Sequence, residues 1–353
     1  MKTEALLTVL GCAALLLAGC ATSPTQGQAQ AHADEPLSTA TCGVSRLSAE
    51  AKEKILALDP EHVTEQDVRE LLSNAPAPRI ISIHGGLLPI KTRMISFAGF
   101  LIAMGYPEAS LRNPKTGSYA YGYYDASERI AGWLAWYYEQ EGLRPILVGH
   151  SLGGIQVVRV LHKLAGDFEK QLSVWNPLTD EPEPRNEITD PLTGTQRPVV
   201  GLQLCYATAA TAGGLARALP NEWDMNSRLR EIPDSVEEFT GFQKGLDPFG
   251  GDYLGYGHAN DYRAIGKATV RNVRLPASGA HLTIPDARDL LKSQEIMDWI
   301  NHYRPGVTSA GEPEPTPNFG SKSARALWAA DVWYSIKKHW VLELQRRLRA
   351  QHS

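Results

Sequence analysis

The sequence predicts an α/β layer fold with a mostly parallel central sheet flanked by helices. Three observations carry that expectation. Short apolar runs without polar alternation, such as Arg79–Ile83 and Pro145–Val148, suit strands covered on both faces. Segments with apolar residues at helical spacing lie between them, and two of these stop at Gly142 and Gly166. The order strand, helix, strand, helix then requires crossover connections, and such sheets place ligands beyond the carboxyl ends of their strands.

Residues 1–19 stand outside that body. A charged start, Met1-Lys2-Thr3-Glu4, leads into an apolar run from Ala5 to Ala18, followed by Gly19-Cys20. The run is too short to span a bilayer and reads as a secretory signal. Leu17-Ala18-Gly19-Cys20 resembles the lipobox of bacterial lipoproteins. That resemblance implies cleavage before Cys20, acylation of Cys20 and a membrane anchor. Ala21, where inner-membrane retention usually shows Asp, implies an outer-membrane location facing the periplasm. Residues 20–41 are rich in Ala, Gln, Ser, Thr and Pro and read as a flexible tether. Cys42 and Cys205 then remain for an oxidising compartment, either paired or with Cys205 as a small buried hydrophobe.

The body is expected over residues 42–304. Ala49–Leu58 and Glu65–Leu72 suit short helices at its edge. Arg79–Ile83 is the first core strand and runs into His84-Gly85-Gly86. Helices follow over 92–104 and 126–139, then a strand over 145–148 and a helix over 155–165. Pro198–Cys205, Glu238–Phe242 and the alternating Thr269–Leu275 complete the strands.

Gly149-His150-Ser151-Leu152-Gly153 fits G-x-S-x-G between a strand and a helix. The turn is too tight for side chains beside the Ser, whose hydroxyl is left exposed above the sheet. Such a pentapeptide arises by accident in roughly one chain in ten of this length, so its strand and helix context carries the weight. Strand, Gly149-His150-Ser151-Leu152-Gly153-Gly154 and helix resemble the α/β-hydrolase superfamily, in its lipase and esterase form, over about Arg79 to Tyr303. The resemblance implies Ser151 as nucleophile. His84-Gly85-Gly86-Leu87 resembles the family's oxyanion segment, implying the backbone N–H groups of Gly86 and Leu152 as oxyanion donors.

In that family the acid and then the His follow the Ser. His281, in Pro276–Leu282 after the strand 269–275, occupies the place of the base. His150 lies within the elbow, His84 precedes Ser151, and His258 has no strand before it. The acid is Asp247 or Asp252, with Asp261 more distant; Asp247 follows the 238–242 strand most closely. Residues of about 208–242 are either an inserted cap over the site or a surface excursion. Tyr119, Tyr121, Tyr123 and Tyr124 either line an entrance or pack on the sheet.

A Pro/Gly-rich linker, 305–320, leads to an amphipathic basic helix over 321–353. Trp328, Val332, Ile336, Trp340, Leu344 and Leu348 form its stripe, and its charge is +5 within a chain total of −4. That stripe docks on the acidic body, on a membrane interface or in a partner groove.

The near-neutral charge carries no nucleic-acid footprint. No metal-ligand spacing, phosphate loop or dinucleotide fingerprint is present, so neither cofactor nor metal is implied. The expected activity is a lipid-anchored serine hydrolase acting on small-molecule or lipid carboxylic esters. A thioesterase, an acyltransferase and a non-catalytic binding lipoprotein remain as alternatives.

Overall fold

Six strands pair in the computed structural model as one sheet: β1 (Ile80–His84), β2 (Tyr121–Gly122), β3 (Ile146–His150), β4 (Leu204–Ala210), β5 (Val236–Lys244) and β6 (Thr269–Leu275). The structure describes residues 43–86, 88–214, 219–250, 260–306 and 315–351. Every pairing within the sheet is parallel, and the spatial order is β2-β1-β3-β4-β5-β6. In register, Ile83 stands beside Gly149 of β3 and His150 beside Ala210 of β4.

Both faces of the sheet are covered, which is why its central strands are apolar without interruption. Helices α4 (Ser127–Glu141) and α5 (Leu152–Ala165) bury one face with Ile81, Ile83 and Leu147. On the other face lie α1 (Ala49–Ala57), α2 (Glu65–Glu70), α3 (Leu88–Ala103), α6 (Gln294–His302) and α7 (Ser323–Ala350), against Ile80, Ile146 and Val148. Gly142 and Gly166 end α4 and α5 in the left-handed region, as their positions in the sequence anticipate.

Several expectations need correction. The run 198–205 is not one strand: Gly201 turns at φ +95°, Val199 and Leu202 fill the core beside it, and β4 begins only at Leu204. The region expected as a cap, about 208–242, is largely framework. Its ends belong to β4 and β5, and residues 219–235 lie along the flank of α5. Met225, Leu229 and Ile232 enter the α5-side core there, and Arg159 pairs with Glu222 and Asp224. Cys205 is a free, buried thiol donating to the Arg144 carbonyl at 3.0 Å, which its place in the sheet core explains. Cys20, Cys42 and the signal and tether segments lie outside the described residues.

Helix α7 docks on the body, the first of the three courses that its stripe left open. It belongs to the same compact unit as the sheet, so 305–320 joins parts of one domain. Its stripe is spent inside the fold: the Trp328 ring lies 4.3 Å from that of Phe97, and Trp340 packs on Tyr106 at 4.8 Å while donating to Pro76 O. Several of its charged residues are buried too, although Arg349 near its end is exposed. Asp331 accepts two hydrogen bonds from Arg271 at 2.8 and 2.9 Å, Glu343 binds Arg144, and Lys337 donates to Val63 O at 2.7 Å. Among the described residues no helix is long and apolar enough to cross a membrane.

Candidate active site

The chain leaves β1 for β2 on one side and later returns to β3 on the other. The strand order therefore reverses between β1 and β3, a position where open α/β sheets form a ligand crevice. Ser151 follows β3 and the segment Gly85-Gly86 follows β1, so both elements meet at that crevice.

Ser151 sits at φ +57°, ψ −124°, a conformation that strains any residue with a Cβ. Its N–H donates to Ala210 O at 2.9 Å, which pins the turn to the end of β4. The flanking glycines are required by space. A Cβ on Gly149 would lie 2.4 Å from Gly153 O, and one on Gly153 would lie 2.2 Å from Ile83 O. The segment after β1 is as close: a Cβ on Gly85 would stand 2.9 Å from Ser151 Cβ, and one on Gly86 2.8 Å from Leu152 Cδ1. Leu152 opens α5, so its N–H has no acceptor within the helix.

His281 begins a short 3-10 turn after β6 and is 7% exposed. Its Nε2 lies 3.0 Å from Ser151 Oγ, and its Nδ1 lies 2.7 Å from Asp247 Oδ2. Asp247 accepts only, so Nδ1 carries the proton and Nε2 faces the Ser hydroxyl as an acceptor. Asp247, 2% exposed, takes a further hydrogen bond from Phe249 N at 3.1 Å through Oδ1. It follows Leu246, itself at φ +57°, so the acid too stands on a strained turn. Asp261 is engaged elsewhere, with Arg274 at 2.9 Å and Gln243. Asp252 and His258 lie outside the described residues.

The sequence places His150 within the elbow and does not show what it does there. Fully buried, it donates from Nε2 to the His281 carbonyl at 3.0 Å, with the two rings 4.9 Å apart. Burial, and then the nearby His281, hold its imidazole far below the usual histidine range, so it stays neutral. Phe249, whose ring is 5.5 Å from that of His281, and Thr211, a buried non-glycine residue at φ +48° just past β4, complete the surroundings. An unbroken Gly-His pair before the Ser was the only signal for the first; nothing in the sequence marked the other two. Of the tyrosines, Tyr121 is core, Tyr123 stands 3.2 Å from where a Gly86 Cβ would be, and Tyr124 is exposed.

No protein family, curated protein or solved structure matches this chain. Among the described residues no group of His, Cys, Asp and Glu could hold a metal ion.

Proposed function

We propose that this chain is a serine hydrolase of α/β-hydrolase type that cleaves carboxylic esters through an acyl-enzyme. The observation that carries the reading is the continuous chain from Ser151 Oγ through His281 to Asp247, at 3.0 and 2.7 Å, on a strained turn at the strand-order reversal.

His281 Nε2 takes the Ser151 proton as Oγ attacks the ester carbonyl carbon. The carbonyl oxygen becomes an oxyanion, which the N–H groups of Gly86 and Leu152 are placed to hold without reorganisation. The imidazolium is stabilised by Asp247 and returns its proton to the departing alcohol oxygen. Water then attacks the acyl-Ser151 ester by the same route, releasing the acid. His150 fixes the backbone of His281 and, being neutral, adds no charge against the imidazolium. The resemblance of residues 17–20 to a lipobox supports the further proposal that the hydrolase is anchored through acylated Cys20 in the outer membrane.

The test is turnover of p-nitrophenyl esters of rising chain length by the purified chain beside Ser151→Ala. The reading expects hydrolysis that the variant lacks. Equal rates with and without the Ser151 hydroxyl would leave it without a nucleophile.

A further inference from the structure

A cavity of about 280 Å³ opens on the β2 side of the catalytic centre, between the start of α3, the loop before β2 and the 177–180 turn. Lys91, Lys115, Gly122, Asp125, Trp133 and Asp180 are among the residues that line it. Gly122 ties the cavity to the site, since a Cβ there would come within 3.9 Å of Nε2 of His84, which heads the oxyanion segment.

Its two carboxylates are already paired with cations, although Asp180 Oδ1 itself has no hydrogen-bond partner. Asp125 pairs with Arg129, and Asp180 lies 3.5 Å from both Arg129 and Lys115. Lys91 has no carboxylate partner among the described residues, so although the two lysines and two aspartates of the lining balance, one of its cations stands without a counter-ion. The position of that charge is itself unfavourable, because Lys91 is the fourth residue of α3, at the end where the helix dipole repels cations and attracts anions. Trp133, 4% exposed, adds a buried indole N–H with no acceptor. Cation, dipole and unsatisfied donor all lack the same thing, an anion.

We propose that this cavity binds an anionic group, such as a carboxylate, carried by the ester substrate, with Lys91 as its counter-charge. The proposal rests on the hydrolase reading and narrows its substrate class to esters of charged acids or charged alcohols. Two pairs of probes separate these sources. Mono-p-nitrophenyl adipate against p-nitrophenyl hexanoate places the charge on the acyl side, and 4-acetoxybenzoate against phenyl acetate places it on the leaving group.

In one pair, the ratio of kcat/KM for the anionic over the neutral ester should fall at least tenfold in Lys91→Gln, mainly through KM, and further in Lys91→Glu. Ratios unchanged in both pairs would overturn the proposal. Labelling of Ser151 by a fluorophosphonate in the same preparations distinguishes the two failures. Should Ser151 prove inert, calorimetric titration of adipate into the wild-type chain and Lys91→Gln decides the cavity alone: binding that the substitution removes supports it, and no binding refutes it.

Discussion

The carboxyl edge of the sheet and the α7 face both bury polar side chains, and they use them in opposite ways. Along α7 the buried carboxylates meet cations inside the fold, Asp331 with Arg271 and Glu343 with Arg144, and α7 itself is regular helix. At the carboxyl edge the polar chain is left open at one end, at the Ser151 hydroxyl, and the backbone is strained at Ser151, Thr211 and Leu246. Closed pairs stabilise a fold; an open chain on strained turns keeps a reactive group presented, at a cost that the closed face must offset. Changes at the edge should therefore alter rate more than stability, and changes on the α7 face should do the reverse.

The largest effect is expected at the edge. Ser151→Ala should lower ester kcat/KM by roughly 10⁴-fold or more, with thermal melting within a few degrees of wild type. Asp247→Asn, which leaves His281 without its acceptor, should cost a similar factor. A comparable collapse of melting temperature in either variant would break the contrast.

On the α7 face, Asp331→Ala removes the bidentate partner of the largely buried Arg271 guanidinium and leaves it Glu238 at 3.4 Å, and urea unfolding should show a loss of about 3 kcal/mol. Active-site labelling per folded molecule should not change.

Lys337 sharpens the comparison by pH. Burial, and then the Arg304 charge, bring its amine down to about 8. Between pH 8 and about 10.5 the unfolded chain holds a proton on this amine that the folded chain has lost, so stability should rise with pH across that window, by up to about 3 kcal/mol. Unfolding midpoints for Lys337→Met should lack that rise. Glu238 acts at the other end of the scale. Burial alone would raise its carboxyl, but the His339 hydrogen bond, the His339 charge and Lys338 outweigh it and hold it well below the usual range. Its contribution is present at neutral pH and is lost as the pH falls below about 4.5.

The smallest effect is expected at Leu246, 68% exposed and at φ +57°. Leu246→Gly should relieve strain and raise stability by up to about 1 kcal/mol, while a looser Asp247 turn lowers kcat. A stabilised variant with unchanged kcat would separate the strain from the catalytic turn.

Much of this arrangement was legible in the sequence, because local patterns encode it. The apolar runs of β1 and β3, the alternation of β6, the glycine stops at Gly142 and Gly166, and the close-packed Gly149-x-Ser151-x-Gly153 turn each leave a local mark. Long-range facts did not. The strand β4 was misplaced because Val199 and Leu202 are buried around a glycine turn and look like strand residues. The docking of α7 was one of three readings, but the partners of its buried charges were not legible, because Arg271, Arg144 and Val63 O come opposite them only in the fold. Asp247 could not be separated from Asp252 by spacing alone, since the choice depends on which turn reaches His281 Nδ1.

The most direct test of the central claim is peptide mapping of a fluorophosphonate adduct on the purified chain. A hydrolase site built as proposed gives one adduct per molecule, on Ser151, that disappears in His281→Ala. Absence of any adduct, or an adduct that persists on another residue in Ser151→Ala, would contradict it.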